Sequence, residues 1–370
     1  MEQQEVPLIN VSMVVKAGAI KDGENAGLAT ITTNNLLFGT KTLSKSEIED
    51  KLDFVGASLN ARASKEFSSV TASFAKKDAD LVLNILRDSV LSPKFDQTEF
   101  DQFKKRHLAS IEQAKESPRS VIHDYFNILV YGDHPYSAIT SGTSKSVEKI
   151  DVNSVKSFHK KWYVPGNAAI AISGDFSTAD MLKKVNNMFS NWKGKTPKEN
   201  LLVATGAAEK SRVLLVNKGD AIESTFLIGG KGIKRSNPDY VAVSVINTIL
   251  GGRFTSWLND ELRVNAGLTY GARSRFNALS ADGSFYISTF TKSSTTKEAI
   301  DLALKTYERL WEKGVDEATL ESAKAYVKGQ FPPRYETSGQ LASLMGQMFV
   351  YGYTDDFINT FASQVNSLDT

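Results

Sequence analysis

The sequence predicts an α+β fold in which one pattern of strands and helices occurs twice. In residues 9–18, INVSMVVKAG, apolar side chains alternate with polar ones, which is the period of a strand with one buried face. Ser44 and Glu47 form a capping box, which is typical of a helix start. After residue 211 a similar order of strands and helices is repeated, with a period of about 200 residues. The chain is therefore expected to consist of two similar halves.

The first half contains all the elements of the repeated pattern. Its first strand covers residues 6–17, a helix follows over residues 26–38, and the helix that begins at the capping box ends at Gly56. The later elements are strands at 57–64 and 68–76, helices at 78–91, from Asp96, at 119–131 and from Asp151, a strand at 167–175 and a helix at 178–190.

The second half follows a polar segment with Gly and Pro, residues 193–211, which we interpret as an inter-domain linker. The predicted domains are thus 1–192 and 212–370. Predicted elements of the second half are strands at 212–219 and 224–232 and helices at 239–250, 254–267, 295–314 and from Asp316. A last helix should face the core through Leu341, Leu344, Met345, Met348 and Phe349.

Composition excludes several classes of function. The 370 residues carry 44 basic and 42 acidic side chains, a net charge of +2, which argues against a nucleic-acid-binding surface. There is no cysteine, so disulfides and thiolate chemistry are excluded. No apolar run is long enough to cross a bilayer. GxSxG and phosphate-loop spacings are absent too, so serine hydrolysis and nucleotide binding have no support.

Residues 27–40, GLATITTNNLLFGT, provide the most informative motif. Their frame resembles the zinc helix of the insulinase/pitrilysin-type metallopeptidases, the superfamily that includes mitochondrial processing peptidase. Active members of that family have HxxEH at the five inner positions, where this chain has TITTN. The frames GASLNA at 56–61, GDHP at 132–135 and LGGRF to GLTYG at 250–271 extend the resemblance over nearly the whole chain.

The resemblance assigns the lost zinc ligands to Thr30, Asn34 and Ser110, and the lost general base to Thr33. Zinc takes imidazole, thiolate or carboxylate ligands, and none of these groups remains. We therefore expect this chain to bind no metal and to need no cofactor of its own. The resemblance also implies a processing-peptidase-like metallohydrolase fold, with two α+β halves that each have a mainly antiparallel sheet backed by helices.

Arg263 and Tyr270, in ELRVNAGLTYG, match a pair that family enzymes place in the C-terminal half. There the pair reaches across a central chamber and hydrogen-bonds the substrate near the scissile carbonyl. A structural alternative is that Arg263 pairs with Asp260 or Glu261 on its own helix while Tyr270 packs in a sheet. Asn60 and Ala61 match the edge strand on which family enzymes add an extended substrate, and an ordinary strand is the alternative there.

These residues lead to one main functional hypothesis. In two-chain bacterial members of the family, one subunit holds zinc and the other supplies the arginine and the tyrosine. We expect this chain to be such a non-catalytic subunit, inactive alone and partnered by a homologous HxxEH-bearing subunit that carries zinc and acts on a peptide substrate.

Two other readings remain open. The chain can be a structural or peptide-binding homologue, as a homodimer or as an assembly subunit like the core proteins of the respiratory bc1 complex. A self-sufficient peptidase with another metal site is the third, although no cluster of ligand residues is visible. Bacterial relatives are often exported. The chain begins after one or two strands that family members usually have and ends before the family's usual last helix and strand, so we expect a trimmed protein whose lost export signal would place it in the periplasm or cell envelope.

Overall fold

The computed structural model describes residues 1–198, 202–204, 206, 208 and 210–370. The chain forms two compact units. Unit 1 comprises Met1–Glu116, Ala138–Asn200 and Arg334–Tyr353, and unit 2 comprises Ser117–Ser137, Leu201–Pro333 and Thr354–Thr370. Each unit thus takes one segment from the other half of the sequence. The proposed linker at 193–211 lies partly outside the described residues, and the predicted domain division stays a prediction.

Unit 1 is built on a four-stranded antiparallel sheet with strand order β2-β3-β1-β4. The central strand β1 pairs with β3 on one side and β4 on the other, and Met13 lies opposite both Val70 and Ile170. The strands are β1 Leu8–Val15, β2 Ser58–Ala63, β3 Ser68–Ala75 and β4 Ala168–Gly174.

The helices of unit 1 confirm the capping signals that the sequence contains. Ser44 and Glu47 form the predicted capping box, and Asp96 accepts hydrogen bonds from the backbone amides of Thr98 and Glu99. The helices are α1 Leu28–Asn35, α2 Lys45–Phe54, α3 Ala79–Leu91, α4 Gln97–Ala114, α6 Ser144–Lys149, α7 Val152–Trp162, α8 Thr178–Phe189 and α13 Ser338–Tyr351. The helix between α4 and α6 in sequence, α5 Pro118–Tyr131, belongs to unit 2.

Helix α13 packs on β1 and β4 through small residues. Its fully buried positions are Ala342, Leu344 and Gly346, whereas four of the five predicted core-facing residues are only half-buried: Leu341, Met345, Met348 and Phe349. A Cβ atom at Gly346 would lie 2.9 Å from Val14 Cγ1 and 3.1 Å from Ser12 Oγ. Of the predicted core-facing residues only Leu344 is buried, and Ala342 and Gly346 take the other buried positions. At Gly346 the helix lies too close to the sheet for a large side chain.

Replacing Gly346 with leucine should lower the free energy of unfolding by about 2 kcal/mol, because the added side chain overpacks the contact with Val14. Gly329 provides a matched control: it also lies in a helix, but a Cβ atom there meets nothing within 4 Å. Gly329→Leu should be neutral or stabilising by up to about 1 kcal/mol, since it removes a flexible glycine. Urea denaturation of both variants measures the difference, and equal midpoints would contradict the close helix–sheet contact.

Unit 2 contains a three-stranded antiparallel sheet with strand order β5-β7-β6. Its strands are β5 Glu223–Lys231, β6 Arg273–Ala278 and β7 Gly283–Lys292. Its helices are α5 Pro118–Tyr131, α9 Tyr240–Asn247, α10 Trp257–Asn259, α11 Thr296–Glu312, α12 Glu317–Gln330, α14 Asp356–Asn359 and α15 Phe361–Asn366. Asp316 caps α12 as predicted, through the backbone amide of Thr319.

Three predicted elements of unit 2 differ in the structure. Residues 212–219 form no strand and are largely exposed, although their side chains suit one. The predicted helix at 254–267 reduces to α10 followed by a π-helix, Asp260–Asn265. The helix predicted at 239–250 also ends in a π-helix, Thr248–Gly252. Periodicity predicts that a segment is helical but does not distinguish α from π hydrogen bonding.

Candidate functional site

The helix that corresponds to the family's zinc helix is α1, and a buried acid fixes its start. Gly27, the residue before the helix, has φ of +97°. The Asp22 carboxylate accepts hydrogen bonds from the backbone amides of Gly27, at 2.8 Å, and Ala29, at 2.7 Å. These amides have no partner within the helix, so without Asp22 they would be buried with no hydrogen-bond acceptor.

The three ligand positions direct their polar hydrogens to backbone carbonyls. Thr30 Oγ1 donates to Thr140 O at 2.6 Å, and Asn34 Nδ2 donates to Thr30 O at 2.8 Å. Ser110 lies exposed on α4, where its hydroxyl donates to His107 O at 2.8 Å. Asn34 keeps its second amide hydrogen, and the groups otherwise left toward a ligand are neutral oxygens.

The position of the general base is occupied by a buried network of hydroxyl groups. Thr33 Oγ1 lies 2.7 Å from Ala29 O, 2.7 Å from Ser68 Oγ and 3.0 Å from Tyr163 OH. Ser68 Oγ donates in turn to Ala17 O at 2.7 Å. The Thr33 and Ser68 hydroxyls can each donate to a backbone carbonyl, Ala29 O or Ala17 O, or to one another, and either oxygen can be the donor between Thr33 and Tyr163. Burial raises the pKa of Tyr163, so the whole network is neutral.

This set of residues does not fit zinc. Zinc sites in proteins use imidazole, thiolate or carboxylate ligands. Within residues 1–198, 202–204, 206, 208 and 210–370, no cluster of three or more His, Cys, Asp or Glu side chains is arranged to hold a metal ion. We therefore derive no chemical step through a metal in this chain.

Asp22 should make the stability of the protein depend on pH. Burial raises its pKa to about 7, against the lowering effect of the amides and of Lys65. Between about pH 4 and pH 7 the folded protein holds a proton that the unfolded chain has lost, so stability falls as pH rises through this window. From pH 5 to pH 8 the loss should be about 2–3 kcal/mol.

Urea unfolding of the wild type and of Asp22→Asn at several pH values measures this effect. In Asp22→Asn the fall in the free energy of unfolding between pH 5 and pH 8 should be absent. Asp151→Asn is the control, because hydrogen bonds with Ser154 lower the pKa of Asp151 and its contribution runs in the opposite direction. Parallel pH curves for the wild type and Asp22→Asn would contradict the assignment.

In unit 2, Arg263 and Tyr270 are both available to a ligand. The Arg263 guanidinium carbon lies 4.7 Å from the centre of the Phe254 ring, and no carboxylate in the described part of the chain pairs with it. Glu261, one suggested partner, instead accepts from Asn265 Nδ2 at 3.3 Å. Tyr270 is 84% exposed. The structural alternative for this pair, an ion pair on the helix and a tyrosine packed in a sheet, is therefore not observed.

Threonine side chains of β7 hold the loop that carries Tyr270. Thr289 Oγ1 donates to Gly271 O at 3.0 Å, and Thr291 Oγ1 donates to Leu268 O at 2.7 Å. The backbone amide of Leu268 donates to Leu262 O at 2.8 Å, which ties the loop to the π-helix of Arg263. Hydrogen bonds from the sheet thus fix both ends of the loop at residues 268–271, and the Tyr270 side chain faces the solvent.

Asn60 and Ala61 lie on β2, which is an edge strand of the unit 1 sheet. Asn60 is exposed and Ala61 is half-buried, and Asn60 lies opposite Thr71 of β3. The backbone on the outer side of β2 therefore has no strand partner among the described residues. An edge of this kind supplies the hydrogen-bonding groups that an added strand needs.

Sequence reasoning missed Asp22, the pair Ser68 and Tyr163, and Phe254. Asp22 lies five residues before Gly27, outside the spacing of a standard N-cap. Ser68 and Tyr163 are distant in sequence from Thr33, so no local pattern reveals them. Phe254 had no signal either, because nine residues separate it from Arg263 and a regular α-helix would place the two on opposite faces.

The fold and the site together define a class of protein: a duplicated α+β metallopeptidase-like chain whose zinc-helix positions hold threonine and asparagine. Residues 2–144 match the family model described as insulinase, peptidase family M16, and residues 149–327 match the peptidase M16 inactive domain. The chain therefore belongs to the M16 peptidase family.

Two relatives show how far the similarity extends. The chain is 27% identical over 360 residues to a Helicobacter pylori protein named non-peptidase homolog YmxG, covering 95% of this chain and 81% of that protein. It is 24% identical over 321 residues to the uncharacterized zinc protease YmxG of Bacillus subtilis, covering 87% and 77%.

Solved structures confirm the predicted fold. The peptidase M16 inactive domain from Pseudomonas fluorescens aligns with a TM-score of 0.90 at 24% identity, over 100% of this chain and 88% of that one. A protease from Helicobacter pylori aligns with a TM-score of 0.86 at 20% identity, over 99% and 90%. In the described part of the chain, no helix is long and apolar enough to span a membrane.

Proposed function

We propose that this chain is the non-catalytic subunit of a heterodimeric zinc peptidase. Its partner would be a homologous HxxEH-bearing subunit that holds the zinc, its three ligands and the general base. One observation carries the proposal: Arg263 and Tyr270 are accessible, while Thr30, Thr33, Asn34 and Ser110 offer no zinc ligand and no base. The name of the Helicobacter pylori relative, non-peptidase homolog YmxG, supports the absence of catalysis by this chain alone.

The chemistry of the pair suits peptide hydrolysis in the partner. A guanidinium and a phenol both donate hydrogen bonds to an oxygen that gains negative charge as the scissile carbonyl is attacked. Phe254 stacks on the Arg263 guanidinium and restricts its motion. In this arrangement the present chain closes the chamber and binds the reacting part of the substrate without holding the metal.

The edge of β2 supports a role in binding an extended peptide. Strand addition needs only exposed backbone N–H and C=O groups, so it does not depend on zinc. We include Asn60 and Ala61 in the proposed substrate-binding surface for this reason. The same edge also favours the second candidate function, a peptide-binding protein without any catalytic partner.

Co-purification with a homologous HxxEH-bearing protein from the same organism tests the proposal. The pure chain should contain less than stoichiometric zinc and cleave no peptide, whereas the mixture should elute as one heterodimer and hydrolyse a peptide library. A pure chain that binds zinc and cleaves peptides would overturn the proposal. Peptide binding by the pure chain, with no complex and no cleavage in the mixture, would establish the second candidate instead.

A further inference from the structure

One stretch of unit 2 carries positive charge only. Residues 262–281 include three arginines, Arg263, Arg273 and Arg275, and no lysine, aspartate or glutamate. In the whole chain 44 basic side chains are balanced by 42 acidic ones, so this stretch departs from the average of the sequence. It contains Tyr270 and continues directly into strand β6, Arg273–Ala278. The residues around the proposed substrate-binding pair are therefore locally basic.

The two arginines of β6 lie on one exposed face of the strand. Side chains two residues apart in a strand point to the same side. Arg273 and Arg275 are both exposed, whereas Ser274 between them is buried. On the neighbouring strand β7, Arg273 lies opposite Ser288 and Arg275 lies opposite Tyr286. The cross-strand positions therefore provide no acid for either guanidinium.

Among the described residues, no salt bridge involves Arg273 or Arg275. The salt bridges of unit 2 use other basic residues: Arg119 with Glu223, Lys218 with Asp220, Lys231 with Asp282, Lys297 with Asp301 and Lys324 with Glu321. Acids of unit 2 are thus paired elsewhere, while two guanidinium groups face the solvent side by side. A ligand can supply the negative charge that these groups lack.

The aromatic neighbours of Arg275 are uncharged near pH 7. The ring of Tyr286 lies 5.0 Å from the ring of His123 between their centres. Burial first and the charge of Arg275 second lower the pKa of His123, against the effect of Asp124. Burial also raises the pKa of Tyr286. An anion at this face would therefore meet the two arginines as its cationic partners.

We propose that Arg273 and Arg275 form a second subsite for the peptide substrate and bind carboxylate groups of an acidic peptide. This proposal rests on the proposed function, in which Tyr270 contacts the substrate near the scissile carbonyl. Arg273 is three residues from Tyr270, which is at most about 10 Å along an extended chain. A peptide of a few residues can therefore contact both.

The chemistry and spacing of the two arginines define the peptide that fits them. A guanidinium binds a carboxylate through two parallel hydrogen bonds, which gives geometric specificity as well as charge complementarity. Two acidic residues separated by one residue lie on the same side of an extended peptide. Their carboxylates thus match Arg273 and Arg275, which are also separated by one residue on one face of β6.

Fluorescence anisotropy with the full chain and no peptidase partner tests the proposal. The probe is a labelled short peptide, blocked at both ends, in which two glutamates are separated by one alanine. At low salt it should bind at least about fivefold more tightly than the same peptide with glutamines. This difference should largely disappear at about 0.5 M salt, because exposed charges are then screened. A glutamine peptide with a free C-terminal carboxylate shows whether the chain end can also supply the bound group.

Two double variants separate the subsite from the net charge of the protein. Arg273→Gln with Arg275→Gln should abolish the preference for the glutamate peptide. Lys105→Gln with Arg106→Gln removes two exposed charges from α4 of unit 1 and should keep the preference. Arg273→Glu with Arg275→Glu should instead prefer a peptide with lysines in place of the glutamates. In a reconstituted heterodimer, the first variant should raise KM for a glutamate-containing substrate and leave kcat unchanged, because these arginines bind away from the scissile bond.

Three results would overturn the proposal. They are no saturable binding of the glutamate peptide, equal binding of the glutamate and glutamine peptides by the wild type, and a preference that survives in the Arg273 and Arg275 variant or is lost equally in the Lys105 and Arg106 variant. Failure of the heterodimer to form, with the preference intact in the pure chain, would overturn the proposed catalytic partnership and leave the carboxylate subsite in place. The two proposals can therefore fail separately.

Discussion

Thr33→Glu, which restores the acid that active family members have at this position, is expected to destabilise the protein by on the order of 3 kcal/mol. Thr33 is fully buried, and its hydroxyl serves Ala29 O, Ser68 and Tyr163. A carboxylate cannot donate to Ala29 O, and it can accept from Ser68 only if Ser68 gives up its hydrogen bond to Ala17 O. The charge also loses its hydration, so the penalty should grow as pH rises above the ordinary pKa of glutamate.

Urea denaturation at pH 5 and pH 8 measures this effect, with two control variants. Thr33→Ser keeps the hydroxyl and should cost less than about 1 kcal/mol. Thr33→Val keeps the volume but removes the hydrogen-bond partner of Tyr163. Its cost in stability should therefore lie between those of Thr33→Ser and Thr33→Glu. A Thr33→Glu protein as stable as the wild type at both pH values would show that the hydroxyl network tolerates a glutamate at this position.

Local signals in the sequence were sufficient to predict the capped helices. Ser44, Asp96 and Asp316 each precede a helix and accept from the expected backbone amides, because a cap depends only on residues within one turn. The alternating pattern of β1 likewise predicted a strand, and neither feature needed knowledge of distant residues. The expected single buried face of β1 was wrong, because α13 packs on the sheet and Ser12 and Val14 are buried as well.

Features that depend on distant residues were not predictable in the same way. The apolar pattern of residues 212–216 indicates a strand, but a strand also needs a neighbour, and the pattern says nothing about one. Helices α5 and α13 were predicted as helices, yet each packs in the unit formed mainly by the other half of the sequence. Amphipathicity shows that a helix has a buried face but not which sheet it covers.

The candidate site shows the same limit. The loss of zinc ligands at Thr30, Asn34 and Ser110 was readable from residue type alone, since ligand chemistry does not depend on neighbours. The groups that surround the position of the lost base could not be predicted, because Ser68 and Tyr163 reach Thr33 only in the folded chain. Whether Arg263 was free or paired with a helical acid also required coordinates, since both arrangements are compatible with its spacing.

In a heterodimer reconstituted with an HxxEH-bearing partner, Arg263→Ala and Tyr270→Phe are each expected to lower kcat/KM about 100-fold. Each removes one donor to the oxygen that becomes negative in the transition state, and such donors act chiefly on kcat. Tyr270 is exposed, so Tyr270→Phe should leave the stability of this chain unchanged. Arg263 is half-buried against the Phe254 ring, so Arg263→Ala should lower the free energy of unfolding by at most about 1 kcal/mol, and neither substitution should prevent association with the partner. The kcat/KM of Arg263→Lys should lie between those of the wild type and Arg263→Ala, because lysine keeps the charge but lacks the planar guanidinium.

Arg334→Ala and Tyr326→Phe are the matched controls, since both residues have accessible side chains outside the pair. They should leave kcat/KM unchanged. The double variant of Arg263 and Tyr270 should lose less than the product of the single losses if both donors serve one oxygen, since residues that act as a unit are not additive. Full activity in the double variant, with the heterodimer intact by sedimentation, would remove the proposed donation across the interface and leave this chain a structural subunit.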